Sequence, residues 1–263
     1  MVLRASALAA VLLLCACDAG SEHWQERTGV SAPEAAAEAG YLAPPAVTAS
    51  RPEGDGIRLE GTAAPGSRVR IAPPRGEPIF VPVSEDGRWR ALLTPSQGVH
   101  LFGLSMSDGE RSAQAEGYMM MTANGRIAQL RAGAGAVSLA PASASPRILA
   151  LDYDREGGAV VSGVAAPGAS LALRVDRARR GETKADARGR FSIAFSEPVA
   201  MGPHELEVSG DGGADVRRVV LSPALSVGEG PYLGRRTDYG WRVDWMPPGG
   251  GVQTTLLFEG PAA

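Results

Sequence analysis

The sequence predicts an all-β protein built from two tandem β-sandwiches. Glycine and proline contribute 34 and 20 of the 263 residues, and aromatic residues only 5%. This composition favours many short strands joined by tight turns over long helices. Apolar and polar residues alternate through segments such as 57–60, 68–71 and 79–83, as expected for strands with one buried face. An internal repeat at an offset of 102 residues indicates that the pattern occurs twice.

The chain begins with the features of a secretory signal peptide. Arg4 supplies a positive charge, and the apolar run that follows, Ala5–Leu14, is too short to span a bilayer as a helix. Leu14-Cys15-Ala16-Cys17 resembles the lipobox of bacterial lipoproteins. The resemblance implies a signal peptide over 1–16 and an acylated Cys17 as the mature N-terminus. The alternative is ordinary secretion with a cut after Ala19, which would discard Cys17.

The predicted location is the cell envelope, with the protein lipid-anchored and facing the periplasm. Asp18 follows the proposed anchor and resembles the enterobacterial signal for retention in the inner membrane, and the outer membrane remains the other possibility. Residues 17–55 contain few large apolar side chains and are predicted to form a flexible tether. The membrane, reached through this anchor, is therefore the first predicted partner.

The repeat consists of three landmarks in the same order. Each copy of the repeat begins with an Ala-Ala-Pro-Gly turn, in which proline fixes one dihedral angle and glycine allows a positive φ. A second turn precedes an aromatic strand residue, and a glycine and a histidine open a later strand. The matched segments are Gly61–Ile71 with Gly163–Leu173, Asp86–Trp89 with Arg188–Phe191, and Gly98–Phe102 with Gly202–Leu206.

These landmarks resemble the bacterial immunoglobulin-like repeats of cell-surface proteins. The resemblance implies one immunoglobulin-like sandwich over residues 56–124 and a second over 147–222, and it specifies turn and core positions without an activity. The chain lacks the Thr and Asn richness and the acidic clusters of calcium-bound members. Residues 125–146 are rich in Ala, Gly, Ser and Pro and are predicted to be a linker.

The C-terminal residues 223–263 are predicted to form a docked β-hairpin. Trp241–Trp245 alternates strictly, residues 247–251 form a turn, and 252–258 form a second apolar strand. A free two-stranded hairpin is marginally stable, so we expect it to join the second sandwich or to pack across both.

Aromatic residues in this extension are the candidate binding surface. Tyr239, Trp241 and Trp245 concentrate there, and aromatic rings form platforms in sugar-binding modules and anchors in protein interfaces. The alternative is that Trp241 and Trp245 are core, because they share one face of the strand. His100 and His204 occupy matching repeat positions and are predicted to be hydrogen-bonded structural residues.

The sequence predicts a non-catalytic protein without cofactor or metal. The net charge of −3 argues against nucleic acid as a partner, and no Gly-x-Ser-x-Gly, phosphate-binding loop or zinc-ligand motif occurs. Carboxylates at 152–154 and 211–215 could offer oxygen ligands to calcium, but solvated turns are the simpler interpretation. The predicted function is a structural or protein-binding envelope module. The alternative is a carbohydrate-binding or accessory subunit of an envelope complex that uses the C-terminal aromatics.

Overall fold

The structure, a computed structural model, describes residues 41–94, 98–228 and 230–259. Within these ranges the chain forms twenty strands and no helix, which confirms the all-β prediction. The predicted signal peptide, Cys17 and the tether up to residue 40 lie outside the described residues. From Leu42 onward the described chain belongs to one structural unit.

The first sandwich contains strands β1 to β10. One sheet has the order β1-β2-β5, and the other has the order β10-β9-β8-β6-β3-β4, with β7 also paired to β6. Trp89, Leu59, Ile71 and Leu104 fill the core between them. The ten strands are Ala46–Glu53, Gly56–Thr62, Arg68–Ala72, Ile79–Pro82, Arg88–Leu93, Val99–Asp108, Arg111–Gln114, Tyr118–Thr122, Ile127–Leu130 and Val137–Ser138.

The second sandwich contains strands β11 to β20. A six-stranded sheet of order β15-β12-β11-β20-β19-β18 faces a four-stranded sheet of order β14-β13-β16-β17. Phe191, Ile193, Leu173 and Val208 lie in the core between them. The ten strands are Arg147–Tyr153, Ala159–Val164, Ser170–Val175, Ala178–Lys184, Arg190–Ala194, Gly202–Gly210, Gly213–Leu221, Tyr232–Thr237, Gly240–Trp245 and Gln253–Phe258.

Both sandwiches share one immunoglobulin-like strand order. Strands one, two and five of each repeat form one sheet, and strands three, four, six and seven form the other. In the first sandwich the seventh strand is divided between β7 and β8, which pair with opposite ends of β6. The two predicted sandwiches are therefore present, and they use the same topology.

The sequence repeat is structural. Gly61 lies opposite Trp89 in the β2–β5 pair, and Gly163 lies opposite Phe191 in the β12–β15 pair. A Cβ atom at Gly61 would lie 2.3 Å from the Trp89 ring, and one at Gly163 would lie 2.8 Å from the Phe191 ring. Only glycine leaves room for the aromatic ring at this position of each sandwich.

The structure corrects two predicted boundaries. β1, at residues 46–53, lies within the predicted tether 17–55, and β9 and β10 lie within the predicted linker 125–146. β1 has weak apolar patterning because it is an edge strand that buries only Val47. The linker composition is misleading because Ile127 and Leu130 are buried. Gly135 also lies so close to the second sandwich that a Cβ atom there would be 2.7 Å from Val160 Cγ1.

The C-terminal extension is a three-stranded meander, β18–β20, where the sequence predicted a hairpin. The predicted hairpin strands correspond to β19 and β20, and β20 also pairs with β11, so that the meander extends the second sandwich. The sequence does not predict β18, because residues 232–237 contain a glycine and two adjacent arginines in place of alternating apolar side chains.

Candidate functional site

Trp245 lies at the centre of the contact between the two sandwiches. Its side chain is fully buried, its indole Nε1 donates a hydrogen bond to Thr255 Oγ1 at 3.0 Å, and the Tyr118 ring meets it edge-on at 5.9 Å. We call the apolar residues gathered around it the inter-sandwich cluster. Its buried members are Val99, Leu101, Met120, Ala128, Leu130, Ala136, Ala150, Val243, Trp245 and Leu257.

The three predicted aromatic residues do not form one surface. Trp245 is buried and offers no ring face to a ligand, which corrects its place in the candidate binding surface. Trp241 is partly buried against the inter-sandwich cluster, with the Arg236 guanidinium 5.4 Å from its ring centre. Tyr239 packs instead against the core of the second sandwich, 5.8 Å from the Phe258 ring. The alternative interpretation, in which Trp241 and Trp245 are core residues, therefore holds for Trp245 and, in part, for Trp241.

Asp152 is a buried carboxylate in the same contact region. Its Oδ2 accepts a hydrogen bond from the backbone N–H of Ala136 at 2.7 Å, and its Oδ1 accepts from Thr255 Oγ1 at 2.5 Å and from Gln253 Nε2 at 3.3 Å. Ala136 lies between β9 and β10, so that one carboxylate of the second sandwich holds a loop of the first.

Burial raises the pKa of Asp152 to about 6, although its hydrogen bonds and the nearby Arg131 charge act in the opposite direction. A charged carboxylate loses its hydration in this position, and neutral hydrogen-bond donors replace that hydration only in part. The raised pKa brings the ionisation of Asp152 close to neutral pH.

The opposite face of β19 carries a buried ion pair. Arg242 and Asp244 are each about 1% exposed and contact one another at 2.9 Å. Arg242 also donates to the carbonyl oxygens of Ser222 and Pro223, while Asp244 accepts from Thr254 Oγ1 at 2.6 Å. Arg242 and Asp244 thus share one face of β19, and Trp241, Val243 and Trp245 on the other face form the apolar contact. The pair fixes the segment after β17 to the meander.

The two repeat histidines have structural surroundings. His204 Nδ1 lies 2.7 Å from an oxygen of Asp176, and Nε2 lies 2.8 Å from the Ala200 carbonyl oxygen. Both partners are acceptors, so the two bonds form together only when both ring nitrogens carry a proton. The backbone N–H of Glu205 and then His204 lower the pKa of Asp176. His100 is partly buried, and this burial lowers its pKa.

The proposed calcium ligands have other partners. Asp152 is held as described above, Asp154 accepts the backbone N–H of Gly158 at 2.9 Å, and Asp215 accepts that of Ile148 at 2.7 Å. No cluster of three or more acidic, histidine or cysteine side chains suited to a metal occurs in the described part of the chain. Nor does any helix within residues 41–94, 98–228 and 230–259 have the length and apolarity to cross a membrane.

No protein-family model and no curated protein sequence matches the chain. Solved structures that align with it include a carbohydrate acetylesterase from Xanthomonas citri, at 33% identity over 30% of this chain and 19% of that chain, with a TM-score of 0.26. The central fibronectin-III array of RIM-binding protein aligns over 82% of this chain and 88% of that chain, at 12% identity and a TM-score of 0.26. The adhesin InvE from Yersinia pseudotuberculosis aligns over 73% and 63% of the two chains, at 12% identity and a TM-score of 0.23.

This chain spans about a fifth of the acetylesterase chain. At these TM-scores the alignments give no information about the function of the site. The assignment of the fold depends on the strand order and register of the two sandwiches.

Proposed function

We propose that this protein is a non-catalytic cell-envelope module that is lipid-anchored at Cys17 and acts as a structural or protein-binding element. The observation that carries the proposal is the inter-sandwich cluster. The C-terminal meander completes a sheet of the second sandwich and places Trp245 against the first. Two sandwiches with one continuous apolar contact hold their outer surfaces in a fixed relative orientation, which suits a spacer or a docking element.

The proposed lipid anchor would hold this module at the membrane surface. A single acyl chain holds a protein on a membrane only marginally, and two or more chains hold it stably. Acylation of the bacterial lipoprotein type at Cys17 would provide the required number of chains. The alternative carbohydrate-binding role through the C-terminal aromatics loses support, because Trp245 is buried and Tyr239 and Trp241 pack against different cores.

Metabolic labelling tests the anchor. Cells that express the full chain are fed a clickable palmitate analogue, and the protein is isolated and tested for the label. We expect labelling of the wild type and of Cys15→Ala, because Cys15 occupies a position where any small residue is accepted. We expect no labelling of Cys17→Ala. Equal labelling of Cys17→Ala and wild type, or no labelling of the wild type, would contradict the proposal.

A further inference from the structure

A cleft of about 620 Å³ lies between the two sandwiches, next to the start of β1, and a smaller space of about 310 Å³ adjoins it. The two share the residues Gln129, Val137, Ser138 and Arg190. β9 and β10 form one wall, and the turn before β15 forms the opposite one. We call the combined space the basic cleft.

Positive charge predominates in the basic cleft. Arg131, Lys184, Arg188 and Arg190 line it, against two acidic residues, Glu116 and Asp186. The chain as a whole has a net charge of −3, and Lys184 is its only lysine. A local excess of cations in an acidic protein favours an anionic ligand at this position.

The cations of the cleft differ in their partners. Arg190 pairs with Asp186 at 3.2 Å, and Arg131 donates to the carbonyl oxygens of Ala134 and Gly135. Within the part of the chain that the structure describes, the Lys184 ammonium and the Arg188 guanidinium form no ion pair. These two exposed groups can therefore donate hydrogen bonds to carboxylates without breaking an existing pair.

A buried hydroxyl lies beside the same wall. Ser162 is 2% exposed, and its Oγ has no hydrogen-bond partner in the structure. Ser162 pairs directly with Ser192, which lines the cleft. Side chains of directly paired residues lie on the same face of a sheet. Ser162 thus lies on the same face as a cleft residue, although its own side chain is enclosed behind the cleft and does not line it.

Two sheet edges meet the cleft. β10 is the outermost strand of the seven-stranded sheet and β1 is the outermost strand of the three-stranded sheet, and residues of both line the larger space. An edge strand presents unpaired backbone N–H and C=O groups, which can pair with an extended peptide. Pro44, Val137 and Leu139 add apolar surface. The ligand chemistry that fits is an extended peptide with acidic side chains on one face and apolar side chains on the other.

We propose that the basic cleft binds an extended acidic peptide segment of an envelope protein, whose carboxylates pair with Lys184 and Arg188 and whose backbone adds to the edge of β1, the longer of the two edge strands. This inference depends on the proposed protein-binding role and names the chemistry of the partner. A plain anion site would use the same cations but would not need the sheet edge.

Fluorescence anisotropy with a defined probe tests the inference. The full chain in detergent micelles is titrated into a fluorescein-labelled peptide of four Glu-Val repeats. We expect saturable binding that weakens with added salt, and no binding of the corresponding Lys-Val peptide. The Lys184→Gln/Arg188→Gln variant is expected to raise the Kd about tenfold, since it removes two charge-assisted contacts.

Matched controls separate the outcomes. The Arg155→Gln/Arg179→Gln variant removes the same charge from exposed positions outside the cleft and is expected to keep the wild-type Kd. A Glu-Val peptide that is N-methylated at every residue has no backbone N–H with which to pair with a sheet edge, and it is expected to lose binding. Equal effects of the two double variants would overturn the site. Undiminished binding of the N-methylated peptide, or equally good competition by inorganic phosphate, would overturn the peptide assignment. The palmitate label at Cys17 is independent of both, so failure of the anchor and failure of the cleft are distinguishable.

Discussion

At the scale of single residues, Asp152 combines burial with a specific task. Its oxygens hold Ala136 of the first sandwich and Thr255 of the meander. The pKa of about 6 lies above the ordinary value of 3.8 because burial penalises the charged form more than the hydrogen bonds favour it. The same carboxylate therefore orients the contact between the sandwiches and lowers its stability when it ionises.

The stability of the protein is expected to depend on pH through Asp152. Between pH values of about 4 and 6 the folded state binds more protons at this group than the unfolded state, so stability falls as the pH rises. The contribution is present in full below the unfolded pKa and is lost through the folded pKa. The shift corresponds to at most about 3 kcal/mol. Urea unfolding at several pH values measures the effect.

Two variants identify the source of that pH dependence. Asp152→Asn removes the titrating group, so its unfolding free energy should lack the loss between pH values of about 4 and 6. Asp154→Asn changes a carboxylate two residues away in a turn and should keep the slope of the wild type. A slope that persists in Asp152→Asn would assign the pH dependence to other groups.

At the scale of elements, β19 is a strand with two buried faces of different chemistry. One face carries Trp241, Val243 and Trp245, and the other carries the Arg242–Asp244 pair. Apolar and charged residues alternate along it just as they would in a strand exposed to water on one side. For this reason the sequence predicts the strand and its apolar face but gives no signal that the charges are buried.

Trp245→Ala is expected to destabilise the protein by about 3–5 kcal/mol, because it leaves a large cavity in a fully enclosed site. Trp241→Ala should cost less, since the Trp241 ring is only partly buried. The midpoints of urea unfolding give both values. A Trp245→Ala variant with an unchanged midpoint would show that the ring does not support the core and would restore the binding-platform interpretation.

The elements that the sequence predicts well are those with a repeated landmark. The turn glycines Gly66 and Gly168 have φ values of 72° and 74°, and each is followed by the expected strand. β1, β10 and β18 lack such landmarks and bury few side chains, which leaves little trace in side-chain patterning. β9 buries its apolar side chains but lies in a segment whose overall composition is that of a linker. The sequence could not predict the basic cleft. Its cations lie directly after β9, at the end of β14, in the turn before β15 and at the start of β15, and only the packing of the two sandwiches brings them together.

At the scale of the whole molecule, the inter-sandwich cluster joins the two repeats thermodynamically. Leu130 of the first sandwich and Val243 of the second are both fully buried in it. Separating the sandwiches would expose this surface to water, which costs about 25 cal/mol for each Å² of apolar area. We therefore expect the two repeats to unfold as one cooperative unit.

Calorimetry should show a single unfolding transition for the wild type, with equal calorimetric and van't Hoff enthalpies. Leu130→Asp places an uncompensated charge in the cluster and should split the signal into two transitions. Leu173→Ala, in the core of the second sandwich, should lower the midpoint temperature of the single transition without splitting it. Two transitions in the wild type would mean that the sandwiches unfold independently.

The pairing of β20 with β11 has a consequence for how the chain matures. Leu151 and Leu256 are paired residues of adjacent strands although they are about a hundred residues apart in sequence. Closing a loop of this length has an entropic cost, which slows the formation of such contacts. A nascent chain that has emerged only through β17 exposes an unsatisfied edge on β11, open to mispairing with another molecule. The native sheet is therefore completed only when β20 has been synthesised. A protease cut before β20 is expected to leave a fragment that associates with other molecules through the exposed edge of β11.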